Sequence, residues 1–236
     1  MKTGSHPCKA RAFSLVELLV VMAVIAVIAQ FTIPAVSSML RSSRLTLAAD
    51  ILIDQLSLAR QLAISDNRVV EVRFFRYGDP EVPGENLNVS TTGQFRALQI
   101  YEILDNGIAM PLDKVQMLPT SVIMNSTSGT SAAALSSLFL DQTLVTSAQV
   151  LTDATAPNLP RGVNKNYDYL AFRFLQDGST NLPPSSSQTS GGIWYVTIHD
   201  INDLGKIVGS APPPNFITLQ VDPLNGGVKS YRPMSN

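Results

Sequence analysis

From Phe13 to Ile33 the chain is apolar at nearly every position, interrupted by Glu17 near its start and Gln30 near its end. At about 1.5 Å per helical residue this stretch spans roughly 31 Å, the thickness of a hydrocarbon core. Past Pro34 the pattern changes. Leu45, Ala48, Leu52, Leu56, Ala59 and Ala63 recur at steps of three and four, while Asp50, Asp54, Gln61 and Ser65 fall on another face. That spacing predicts an amphipathic helix over 35–66 with one side packed. It should stop near Asp66-Asn67, because asparagine tolerates the left-handed conformation just past a helix end. Together the two segments predict one long helix from about 13 to 66, bent at Pro34, where proline removes an intrahelical donor.

At Val69 the period becomes two. In VVEVRFFR (69–76), Val70, Val72 and Phe74 alternate with Glu71, Arg73 and Phe75, which predicts a strand with one buried face. Similar stretches at 96–104, 115–124, 169–176, 193–200 and 215–222 predict further strands. Their connections are too short or too polar for crossover helices, so the expected fold is α+β, with the long helix packed on a mostly antiparallel sheet over 69–233. The stretches STSGTSAAALSS (126–137), GSTNLPPSSSQTSGG (178–192) and GSAPPP (209–214) are rich in small polar residues and are expected to be exposed loops. Residues 138–145 fit either a short helix or a strand.

Three readings fit the N-terminus. As a plain anchor, the apolar helix spans a membrane, and Lys2, Lys9 and Arg11 ahead of it keep the N-terminus cytoplasmic and send the rest across. As a signal peptide, small residues Val27 and Ala29 would allow a cut after Ala29, although the run is longer than usual and holds an acid. Neither explains Glu17, since a carboxylate at the bilayer centre costs roughly 2.5–3.5 kcal/mol or more.

The third reading does. AFSLVELLVVMAVIAVI resembles the processing and assembly segment of type IV pilins and type II secretion pseudopilins: a short basic leader, then Phe, a hydroxyl residue, two apolar residues, Glu and a long apolar helix. Ala12 stands where that family usually has glycine. The resemblance implies a leader over 1–12, cleavage between Ala12 and Phe13 by a prepilin peptidase, N-methylation of Phe13, an assembly role for Glu17 and a helix kink at Pro34. It implies a transmembrane and assembly helix over 13–34 and an exported domain over 35–236. The protein would sit in the inner membrane as a single-pass subunit, its domain periplasmic, and join other pilins or pseudopilins in a filament at the cell envelope. LSLARQLAISDNRVVEVRF, AFRFLQDGS and ITLQVDPLNGGVKSYRP extend the likeness to minor pilins of the GspH/FimT class. Within that class, the opening helix and FRALQ most resemble the Verru_Chthon cassette protein D family of Verrucomicrobia.

Chemistry elsewhere is sparse. Cys8 precedes the apolar run, so a lipoprotein signal, which places its cysteine after that run, does not fit, and a chain cut at Phe13 has no thiol. His199, at a strand end beside Asp200, reads as a surface or rim residue. Asp50 and Asp54, near Arg60, read as a solvated face, and Trp194 with Tyr195 as core packing. Two sequons, at Asn88 and Asn125, are near the number expected by chance. No enzyme, cofactor or metal is expected. Two alternatives stand beside the filament reading: a domain merely tethered by one helix, and a pilin-like protein that captures DNA. The tail holds only Lys229 and Arg232. Of the 17 basic and 18 acidic residues, loss of 1–12 removes Lys2, Lys9 and Arg11 and leaves a net charge of −4, which disfavours nucleic acid.

Overall fold

The computed structural model describes residues 14–88, 93–125, 136–139, 157–160, 162–163, 167–184, 193–206 and 213–233, with the side chains of 31–36 and 205–206 outside the description. The chain divides at Arg41/Ser42 into two units. A single helix, α1 (Leu15–Ser65), contributes to both.

In the first unit α1 is apolar on every side. Leu15, Leu18, Leu19, Val20, Ile25 and Ile28 are all more than half exposed. A helix of that kind belongs in a protein core or a membrane. Among the described residues no helix is long and apolar enough to cross a membrane. The apolar stretch with described side chains stops at Gln30, short of the roughly 20 residues a span requires.

In the second unit α1 is amphipathic as its spacing predicts. Leu45, Ala48, Leu52, Leu56, Ala59 and Ala63 are at most 2% exposed, and Asp50 and Asp54 face water. The helix ends where expected: Asn67 has φ 51°, and the Arg68 amide donates to the Ala63 carbonyl at 3.2 Å. That six-to-one bond around a left-handed residue is a Schellman cap.

The strands are β1 (Val69–Tyr77), β2 (Gln94–Ile103), β3 (Ala109–Pro111), β4 (Gln116–Met117), β5 (Val122–Met124), β6 (Asp168–Phe174), β7 (Trp194–Asp200), β8 (Phe216–Val221) and β9 (Val228–Tyr231). They form one sheet in the order β6-β1-β2-β5-β7-β8-β9, with β3 and β4 also on β2. Every pairing is antiparallel. The buried stripe of α1 packs on Val70, Val72, Phe74, Leu98, Ile100, Trp194, Val196 and Leu219. This confirms the α+β fold with a helix covering an antiparallel sheet.

Four sequence expectations need correction. β1 is buried on both faces, not one: Glu71, Arg73, Phe75 and Tyr77 are at most 5% exposed. Leu87, Leu159, Val163 and Tyr167, which lie outside the strands, cover that second face. Its two charges survive burial as a pair, Arg73 Nε lying 2.6 Å from Glu71 Oε1, with Arg173 Nε at 2.8 Å from Oε2 and the Arg73 guanidinium stacked over Tyr101 and Tyr169. The strand expected at 115–124 is two short ones, because Pro119 between them has no amide to donate. β3 was not expected at all. Two stretches expected to be exposed loops are partly core: Thr180 and Leu182 are buried, and so are Ser136 and Ser137, whose hydroxyls accept the Thr197 and Tyr195 amides at 2.9 and 2.8 Å. Those serines serve β7 where β5 has ended. A short 3-10 turn, Ser137–Phe139, opens the stretch read as helix or strand; residues 140–145 lie outside the described residues.

Candidate functional site

The motif at the start of α1 forms a helix cap. The Glu17 amide donates to Ser14 Oγ at 3.1 Å, and the Leu18 amide to the Ser14 carbonyl at 3.2 Å. Ser14 is therefore the N-cap and Glu17 the third helical residue, the S-x-x-E spacing of a capping box. A carboxylate in this turn also faces the positive end of the helix dipole. Ser14-Leu15-Val16-Glu17 carries this signal in the sequence, and it accounts for one contribution of Glu17: it favours helix initiation at this point. The Glu17 side chain is exposed. Ala12 and Phe13 lie outside the described residues. Pro34 lies inside α1, its side chain outside the description.

The other residues singled out separate cleanly. His199 is not at a rim but fully buried. Its Nδ1 is 2.8 Å from the Asp200 carbonyl, so Nδ1 donates, and Nε2 accepts from the Asn125 amide at 3.0 Å. Burial pushes its pKa below the ordinary value, against weaker upward pulls from the Asp200 carbonyl bond, Asp203 and Asp200. Asn125 is itself 1% exposed, which leaves no room for a glycan. Trp194 is in the core and donates from Nε1 to the Pro183 carbonyl at 2.8 Å. Arg60 Nε donates to the Asn225 carbonyl at 2.7 Å, so it braces the β8–β9 turn. Arg232 bonds Thr46 Oγ1 at 3.1 Å and Ser42 Oγ at 2.6 Å, tying the end of the sheet to α1. Lys229 is exposed on β9. Among the described residues no three His, Cys, Asp or Glu side chains form a group able to hold a metal ion.

Residues 8–29 match the prokaryotic N-terminal methylation motif. The N-terminus thus carries a prepilin-type signal. No curated protein matches the chain. Among solved structures, the chain is similar to the minor pseudopilin EpsH from the Type 2 Secretion System of Vibrio cholerae, at 10% identity over 81% of this chain and 98% of that one, with a TM-score of 0.40. It is also similar to the type IV minor pilin FimU of Pseudomonas aeruginosa, at 14% identity over 82% of this chain and 95% of that one, with a TM-score of 0.41. A second crystal form of FimU gives 16% identity, 81% and 98% coverage, and a TM-score of 0.39. None of these matches is to the cassette protein D family.

Proposed function

We propose that this chain is a minor pilin or pseudopilin, a structural subunit of a type IV pilus or type II secretion-like filament at the cell envelope. One observation carries the reading: the methylation motif over 8–29 leads into a helix whose apolar residues are exposed on every side. A soluble protein would leave that surface wet at a cost of about 25 cal/mol per Å². A bilayer, and later a bundle of like helices, removes it from water.

In this proposal prepilin peptidase cuts between Ala12 and Phe13 and the new amine of Phe13 is methylated. Before assembly the helix over 13–34 holds the subunit in the inner membrane as a single pass, with the domain from 35 onward on the periplasmic side. Pro34 bends α1 between its membrane part and its packed part. Glu17 has a second task beside its cap. The cut places a positive amine four residues away, and the opposite charges of neighbouring subunits offset the desolvation of both. An entering Glu17 meets the Phe13 amine of a subunit already in place. Arg232 is already bonded to α1, so DNA capture through the tail has no observation in its favour.

Glu17→Ala tests the assembly role. A chain cut at Phe13 has no cysteine, so a cysteine at exposed Leu47 would be its single thiol for crosslinking to partner pilins. Glu17→Ala should be inserted and cut normally yet crosslink several-fold less. Unchanged crosslinking would remove the role.

A further inference from the structure

Lys9, Ala10, Arg11 and Ala12 belong to the strongest helix-forming residue types, and Pro7 ahead of them suits a first helical position. Propensity alone would therefore let the helix run back through this stretch. It begins at Leu15 instead, because Ser14 caps it. The Ser14 hydroxyl accepts from the Glu17 amide at 3.1 Å, and the Ser14 carbonyl accepts from the Leu18 amide at 3.2 Å. In a helix continued backwards, the Glu17 amide would go to the Phe13 carbonyl and the Val16 amide to the carbonyl of Ala12. The hydroxyl of Ser14 takes the first of these donors, so the helix gains no bond there by adding a turn.

The Ala12 carbonyl is the one a peptidase attacks when it cuts before Phe13. A peptidase cleft takes its substrate as an extended strand, main chain bonded to main chain. A peptide bond inside a helix has those groups already committed.

We infer that Ser14 is a positioning residue for processing: by capping α1 it keeps the Ala12 carbonyl out of helical hydrogen bonding, so that the Ala12–Phe13 bond enters the peptidase extended. The inference rests on the cut between Ala12 and Phe13 proposed above. It separates the work of Ser14 from that of Glu17. The cap bond uses the backbone amide of Glu17, so Glu17→Ala keeps the bond and is cut normally, whereas Ser14→Ala loses it. Apparent affinity scales with the fraction of substrate in the competent conformation, so the loss falls on KM and leaves kcat unchanged.

The test is the cleavage of the full precursor, in detergent micelles, by its native prepilin peptidase. Ser14→Ala should raise KM about two- to fivefold, the worth of a typical N-cap. Ser14→Asn and Ser14→Gly, which cap without a hydroxyl, should stay within about twofold of the unmodified precursor. Ala10→Gly, which weakens a helix upstream and leaves every charge in place, should restore cleavage to Ser14→Ala. In precursor labelled with ¹³C-alanine, the Ala10 Cα resonance, assigned by its loss in Ala10→Gly, should move toward the helical value in Ser14→Ala and not in Ser14→Asn. An unchanged KM in Ser14→Ala, an effect on kcat alone, or Asn and Gly variants as poor as Ala, meaning that the peptidase reads the hydroxyl itself, would each overturn the inference. An unmodified precursor that is not cut before Phe13 would refute the processing reading, and this inference with it.

Discussion

Acidification should destabilise the folded domain through His199. The imidazole is fully buried, with Nδ1–H committed to the Asp200 carbonyl and Nε2 accepting from Asn125. A second proton would have to go on Nε2, where it would meet the Asn125 amide protons, in a site where burial already disfavours charge. The unfolded chain takes up this proton near pH 6.5 and the folded chain resists it, so the unfolded state binds more protons below that pH. Stability from His199 is therefore fully present above about pH 6.5. It is lost as pH falls from there toward the lowered folded value, by up to about 1.4 kcal/mol per pH unit. Between pH 7.5 and 5.5 the loss is at most about 1.4 kcal/mol, or up to roughly 3–6 °C in Tm for a domain of this size. Trp194 is the sole tryptophan and is fully buried on β7, the strand that also carries His199, so its fluorescence reports urea unfolding of the full chain in detergent micelles. His199→Gln keeps an acceptor for Asn125 and removes the titration. The difference in pH slope between the two proteins isolates His199 from the carboxylates. Identical slopes, or a wild-type chain more stable at pH 5.5 than at 7.5, would refute the reasoning.

Urea unfolding also tests the packing. Leu56→Ala, at a fully buried position of α1, should cost about 2–5 kcal/mol, whereas Leu47→Ala, at a position 53% exposed, should stay within about 0.5 kcal/mol. Two glycines with positive φ should behave differently. At Gly226 a Cβ would lie 2.3 Å from the Gly178 carbonyl oxygen, so Gly226→Ala should cost about 3 kcal/mol or more; Gly107→Ala meets nothing within 4 Å and should cost only the backbone strain, about 1 kcal/mol.

The sequence made α1 and its buried stripe legible because a helix repeats its inner face every three to four residues, and six small or aliphatic residues mark it from Leu45 to Ala63. Its stop was legible in Asn67 for a local reason. The second face of β1 was not, because its cover comes from Leu87, Leu159, Val163 and Tyr167, which follow no period. His199 was misread at its strand end because its burial depends on Asn125, 74 residues earlier. The register shift between β1 and β2, where Phe75 faces Ala97 and Arg76 then faces Phe95 so that Arg96 is an extra residue, leaves no mark that alternation can register. At the candidate site, the cap from Ser14 to Glu17 went unread although its S-x-x-E spacing stands in the sequence, because the apolar run drew Glu17 into the membrane question alone; the hydrogen bonds of Ser14 showed it. The cut at Phe13 and the charge pairing of Glu17 came instead from the likeness to a processed family.

The claim that this chain is a processed filament subunit is tested most directly by N-terminal mass spectrometry of the protein extracted from membranes, with its native peptidase present. The account predicts a mature chain beginning at N-methylated Phe13. A chain beginning at Gln30 would mean an ordinary signal peptide, and an intact Met1 a plain anchor; either would contradict it.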